Sequence, residues 1–299
     1  MTVSEAIEEF LSYIESVRTL SANTVTACKN DLSQFKEMPF IGSAREINDI
    51  ELEDLKQCVG FLSKKKRSAA SINRFISSVR SLFAYCRKFG HLSVNVALEL
   101  KTIKNPKKLP RFMTGAEIDK LCRAPETNEL LWEKRDKALF EMLYSSGCRA
   151  SEIVSLTLDD FNGDYSSAIV TGKGSKDRRV YFEKDAQNAL KAYLEDRKNR
   201  FGDSDTERHI FVNQRGGALT TGGLRLIISR YSGSEGTKHH VSPHAFRHTF
   251  ATAMITNGAD VRMVQELLGH SSISTTQRYT HISTEKMIEM YNKAHPHAR

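Results

Sequence analysis

Apolar residues in the first hundred positions recur every three or four residues, the spacing of a single buried helix face. Thr2 and Glu5 stand three apart, the pattern of a capping box, and open a run that extends through Val17. A second run follows Ser21 and sets Val25, Cys28, Leu32 and Phe35 on one side. A third covers roughly 51–62. The fourth, 69–89, stacks Ile72, Phe75, Ile76, Val79, Leu82, Phe83 and Cys86 and ends at Gly90, a residue suited to closing a helix. Four amphipathic helices with short connections predict a compact helical domain over residues 1–100.

The periodicity breaks at 101–111. Two prolines and five cations in that stretch read as an extended basic linker, which could either lie along a phosphate backbone or simply be solvated. Beyond it, Thr114 and Glu117 form another capping box and open a second domain over 112–299. A helix across 136–146 stops at Gly147. Ala168–Thr171 and Arg179–Phe182 read as short strands joined by a turn at 172–176. Ser242-Pro243 starts a later helix, with serine as cap and proline at the first helical position. Another runs over 261–268 and is closed by Gly269. The fold class is therefore mainly α with a small antiparallel β-sheet.

Charge changes this picture by pointing to a partner. The chain has 299 residues, a formal net charge of +8 and a pI near 9.2. Residues 1–100 hold 13 Lys+Arg against 12 Asp+Glu, so residues 101–299 hold 31 against 24. Excess positive charge in one half fits a polyanion such as nucleic acid, and also fits ordinary solubility charge. The five scattered cysteines show neither paired nor metal-ligand spacing, which argues for free thiols in a reducing cytoplasm. The acidic, amphipathic N-terminus does not read as a signal peptide, and no apolar run approaches a membrane span. No membrane partner is expected.

Several short motifs in the second domain carry possible chemistry. His244 and Arg247 lie three apart in the first turn of their helix, placing an imidazole and a guanidinium where backbone N–H groups also favour anions. The alternative is a surface pair near a helix cap. Arg149 sits at a glycine-marked corner with Glu152 three residues on. The carboxylate would either orient the arginine toward a phosphate or staple two helices. Gly172-Lys173-Gly174 presents a lysine at a hairpin tip, poised to donate a proton or merely solvated. Near the C-terminus, His270 precedes Tyr279 by nine residues. A phenol with an ordinary pKa of about 10 attacks nothing at neutral pH unless neighbours activate it.

In order and in combination, Arg149, Lys173, His244-x-x-Arg247, His270 and Tyr279 resemble the site of the tyrosine recombinases, the phage integrase family. The likeness extends to Gly147–Glu152, Asn257–Asp260 and Leu267–His281, and is greatest to the Xer-type site-specific recombinases. Cys148, Ala150, Tyr181, Phe246 and Ala253 depart mildly from that family's pattern without removing a reactive group. The resemblance implies a two-domain DNA clamp, a helical DNA-binding bundle followed by a catalytic domain. Tyr279 would attack the scissile phosphodiester to give a 3′-phosphotyrosine and a free 5′-hydroxyl. Arg149 and Arg247 would hold the non-bridging oxygens, and Lys173 would protonate the leaving oxygen. His244 would serve as base or hydrogen-bond partner, His270 would donate to a phosphate oxygen, and Glu152 would support them. No cofactor and no catalytic metal or ATP is implied.

The same resemblance implies a homo- or hetero-tetramer with a second recombinase on synapsed DNA, a DNA translocase as a further partner in some relatives, and resolution of chromosome or plasmid dimers. It makes the apolar stripe Ile282, Met287, Ile288, Tyr291 a tail that docks on a neighbouring protomer, with packing on its own domain as the alternative. It also makes Lys64–Arg67 with Arg74 and Arg80 the DNA face of the first domain, with a simply solvated charge run as the alternative. Rival readings are a mobile-element integrase, a type IB-like topoisomerase with the same chemistry, and a non-catalytic DNA-binding regulator of the same fold.

Overall fold

The computed structural model describes residues 1–104, 112–127, 132–172, 176–202, 208–234, 241–269 and 284–297. The chain divides into two compact units, Met1–Lys108 and Leu109–Arg299. Of the basic segment 101–111, positions 105–111 lie outside the described residues.

In the first unit, α1 covers Val3–Ser12 and passes into a wider π-type turn over Tyr13–Val17. The run expected to be one helix therefore changes its winding at Tyr13. α2 (Ala22–Lys36), α3 (Leu52–Lys64) and α4 (Ala69–Lys88) follow. The capping box is in place: Thr2 Oγ1 accepts from the Glu5 amide at 3.3 Å, and the Glu5 carboxylate accepts from the Thr2 amide at 2.8 Å. Ser21 and Ser68 cap α2 and α4 in the same manner. α4 packs on the other three helices, and its apolar face supplies Phe75, Val79 and Phe83 to a closed core with Phe35. Each such side chain contributes about 1.5–3 kcal/mol on burial.

Two arginines expected on the DNA face make hydrogen bonds within the fold, although Arg74 keeps 57% of its side chain exposed. Arg74 donates from Nε and Nη2 to the buried Asp31 carboxylate at 3.0 and 2.9 Å, beside the Ser78 hydroxyl at 3.0 Å. Arg80 donates to the carbonyls of Ala97, Leu98 and Leu100, closing the short turn at Val96–Glu99. A basic residue facing a buried carboxylate is held there, because an ionised carboxylate left alone out of water is costly. Lys64, Lys65, Lys66 and Arg67 are exposed.

The second unit contains α5 (Gly115–Thr127), α6 (Glu133–Ser146), α7 (Ala150–Ser155), β1 (Ser167–Thr171), β2 (Asp177–Tyr181), α8 (Lys184–Phe201), α9 (Thr221–Ser234), α10 (Pro243–Thr256), α11 (Val261–Leu268) and α12 (Thr284–Ala294). The Thr114–Glu117 capping box holds the start of α5. β1 and β2 are antiparallel, with Ser167 opposite Tyr181 and Thr171 opposite Asp177. Pairing thus reaches two residues nearer the turn in β2 than the apolar pattern alone suggests. Hydrogen bonding, which charged side chains do not prevent, sets that limit.

α6 is the centre of this unit and packs on α5, α8 and α10. From Ala138 to Ser146 every residue is buried, so its polar groups need internal partners. Asp136 accepts from Arg135 and from the Tyr231 hydroxyl. Ser145 Oγ accepts from the Glu183 amide at 2.8 Å and lies 2.7 Å from the Tyr291 hydroxyl, which donates to the Ser145 carbonyl. That last contact seats α12 on its own domain, with Tyr291 and Ala294 packed among Phe250, Met254, Val264 and Leu267. Ile288 is exposed, Met287 is partly buried, and Ile282 lies outside the described residues. Among the described residues no helix is long and apolar enough to cross a membrane.

Arg74→Ala should lower stability by about 1–3 kcal/mol, since it strips the buried Asp31 of its charged partner. Urea denaturation checks this. Unchanged stability with weakened DNA affinity would instead place Arg74 at a phosphate.

Candidate active site

Two helices end at glycines that fix the site. α6 stops at Gly147, whose φ of +60° lies in the left-handed region, and a Cβ there would fall 2.5 Å from the Phe250 ring. Both the backbone angle and the packing therefore require glycine. The sharp exit places Arg149 at the start of α7. α11 stops at Gly269, with φ +63°, whose amide serves the Gln265 and Glu266 carbonyls, while those of Leu267, Leu268 and Gly269 lie beyond that bond.

Those carbonyls receive arginines. Arg247 Nη2 donates to Leu268 O, Arg178 Nε to Leu267 O at 2.8 Å, and Arg149 Nη2 to Gly269 O at 3.3 Å. Cations at a helix C-terminus are also favoured by its dipole. Arg247 Nη1 donates to Gly147 O at 2.9 Å, so the glycine corner after α6 and the end of α11 share one guanidinium.

A single carboxylate organises the other two arginines. Glu152 is 2% exposed. Its Oε1 accepts from Arg149 Nη1 at 2.7 Å and Arg178 Nη1 at 2.8 Å. Its Oε2 accepts from Arg178 Nη2 at 2.8 Å and from the Arg149 amide at 2.7 Å. Burial opposes the charge, but hydrogen bonds from Arg178 and Arg149 outweigh it and hold the carboxyl at about 2. Arg247 has the opposite problem. Burial, then repulsion from Arg149 and Arg178, lowers its guanidinium to about 10. Three guanidinium charges face one carboxylate charge, an excess of two. An anion arriving here would find donors already placed and would relieve that repulsion.

His244 is exposed on the first turn of α10, one turn ahead of the buried Arg247. Ser242 occupies the cap position there, but its side chain makes no capping hydrogen bond. Lys173, His270 and Tyr279 lie outside the described residues. Their described neighbours reach the arginine cluster. A Cβ on Gly172 would lie 3.5 Å from both Arg178 Nη1 and Glu152 Oε1, and one on Gly269 would lie 3.0 Å from Arg178 Cδ. The structure thus brings together Arg149, Glu152 and Arg247. It adds Arg178, which the sequence reading missed. Its signal was a pair of arginines entering a strand, where alternation sends the two side chains to opposite faces: Arg178 is nearly buried and Arg179 exposed.

Residues 111–286 match the phage integrase family, and residues 7–89 match its N-terminal SAM-like domain. The chain is 40% identical to a tyrosine recombinase XerC of Treponema denticola, covering 99% of this chain and all of that one. It is 35% identical to a tyrosine recombinase XerD of Listeria monocytogenes over 99% of this chain and the whole relative. Its fold is similar to that of a lambda integrase tetramer bound to a Holliday junction, with a TM-score of 0.72, 17% identity, and coverage of 94% and 80% of the two chains.

Glu152→Gln should destabilise the protein by about 3 kcal/mol, because a buried charge pair has lost one partner. The Glu152 carboxyl is depressed, so its contribution is full above pH 4.5, its ordinary value, and is lost as pH falls toward about 2. Urea melts between pH 6 and 2 should show this acid-side loss in the wild type and a smaller one in the variant. Parallel profiles in the two proteins would refute the assignment.

Proposed function

This chain belongs to the phage integrase family and is a site-specific DNA recombinase of the XerC/XerD type, and we propose that its buried arginine cluster seats the scissile phosphate during strand transfer. The observation that carries this reading is Arg247, a buried guanidinium bonded to carbonyls and repelled by two arginines, all held beside one ionised Glu152.

In the proposed step the Tyr279 oxygen attacks phosphorus. The phenol proton passes to His244, the bond to the 5′ oxygen breaks, and Lys173 protonates that oxygen. The products are a 3′-phosphotyrosine and a 5′-hydroxyl. Because the phosphoester bond is conserved, a 5′-hydroxyl from another strand can reverse the step without ATP. Arg149 and Arg247 stabilise charge on the non-bridging oxygens, with His270 as a further donor. For scale, one arginine placed on a phosphoryl transition state contributes roughly 10³–10⁵ in rate in GTPases. Glu152 and Arg178 do not touch the phosphate and act as positioning residues.

Recombination proceeds in a tetramer on synapsed double-stranded DNA, homomeric or shared with a second recombinase, and serves to resolve chromosome or plasmid dimers. The lambda integrase tetramer on a Holliday junction supports this reading by likeness of fold. α12, the helix of the C-terminal tail, is the segment proposed to move between protomers. A DNA translocase completes the proposed set of partners, and the cytoplasm is the proposed compartment.

Covalent trapping on a nicked suicide duplex, in EDTA, tests the chemistry. Wild type should yield a denaturant-resistant adduct and Tyr279→Phe none. Tight binding without an adduct from either protein would favour the non-catalytic regulator, and an adduct from the variant would exclude Tyr279 as nucleophile. Glu152→Gln should slow adduct formation about 10²-fold, the usual cost of misplacing a reacting group by about 1 Å. DNA affinity should also fall by about 10³-fold or more between 50 and 200 mM salt, and a shallow slope would contradict extensive phosphate contact.

A further inference from the structure

One buried polar group on α6 has no partner. Glu141 is 6% exposed, and its Oε2 makes no hydrogen bond. Lys137, four residues earlier on the same helix, pairs with Glu126 instead. Glu141 therefore stands out on a helix whose other buried polar groups are satisfied.

The space it faces is built from three directions. Glu183 comes from the end of the hairpin, and its carboxylate caps α8 through the amides of Asp185 and Ala186. His297 comes from the tail beyond α12. One ligand atom from each of Glu141, Glu183 and His297 lies within 4.8 Å of the other two. His297 Nε2 lies 2.9 Å from Asp119 Oδ1 on α5. With Nε2–H donating to that carboxylate, Nδ1 carries the lone pair, and Nδ1 is buried without a partner. A carboxylate holding the far side of a histidine ring is the usual support of a metal-ligating imidazole. The two residues with unpartnered atoms, Glu141 at Oε2 and His297 at Nδ1, thus lie together beside the Glu183 carboxylate.

We propose that Glu141, Glu183 and His297 form a site for a divalent transition-metal ion such as Zn2+, with Asp119 orienting the histidine. One nitrogen and two oxygen ligands suit zinc better than magnesium or calcium, which take oxygen alone. A tetrahedron with bonds of about 2.1 Å has edges of roughly 3.4 Å, so rotations of the Glu141 and His297 side chains close the site. A cavity of about 460 Å³ opens on two of the three groups, Glu183 and His297, and gives a water access as fourth ligand. The ion would staple the C-terminal tail to α6 and to the start of α8, away from the arginine cluster and with no part in cleavage. The five cysteines are buried free thiols and do not compete for it.

The test is isothermal titration of EDTA-stripped, full-length protein with Zn2+, together with thermal melts. One ion per chain should bind, with a rise in Tm. Glu141→Gln and His297→Gln should each weaken binding at least tenfold, and Asp119→Asn roughly 10–100-fold, all with wild-type circular dichroism. His297→Arg, which offers positive charge but no ligand, should abolish the zinc response. No saturable binding by 100 µM zinc would overturn the proposal, as would equal affinity in wild type, Glu141→Gln and His297→Gln. An equal fall in Tm for His297→Gln with and without zinc would also overturn it, showing that the imidazole holds the tail without a metal.

Discussion

The contact on which the catalytic unit depends is Glu152 with Arg149 and Arg178. One buried carboxylate accepts four hydrogen bonds and so fixes two guanidinium planes. Each plane is then tied to the open carbonyls at the end of α11, as is Arg247. α7, the hairpin, α10 and α11 are thereby locked to one another through polar groups. Removing the carboxylate would leave three mutually repelling charges in a space of low dielectric, where such repulsion is poorly screened.

The same arrangement prepares for chemistry. Arg149 and Arg178 are neutralised in part by Glu152, whereas Arg247 is held by carbonyls and destabilised by its neighbours. Arg247 is held between the two glycine corners by its bonds to the Gly147 and Leu268 carbonyls. A transferring phosphate, which gains charge on its non-bridging oxygens, meets donors that need no reorganisation. The energetic cost of assembling like charges is met once, on folding, rather than in each catalytic cycle.

Much of this was legible in the chain. Capping boxes at Thr2 and Thr114, the stops at Gly147 and Gly269, and the helix start at Pro243 are local signals, and local geometry follows from them. Arg149 and Glu152 could be paired because three residues is contact distance on a helix. What stayed hidden depended on distant partners. Arg178 meets Glu152 across 26 residues and Leu267 across 89. Nor does charge reveal the buried Asp31 that Arg74 bonds or the carbonyls after Val96 that Arg80 bonds. Glu141 and His297 lie 156 residues apart and are brought together by tertiary contacts of the tail, such as Tyr291 with Ser145 and His297 with Asp119.

The most direct measurement is a crystal structure of Tyr279→Phe bound to duplex carrying its recombination site. The account predicts that non-bridging oxygens of the scissile phosphate accept from Arg149 and Arg247, while Glu152 still bridges Arg149 and Arg178. A phosphate seated elsewhere, with Arg247 still occupied by the Gly147 and Leu268 carbonyls, would contradict it.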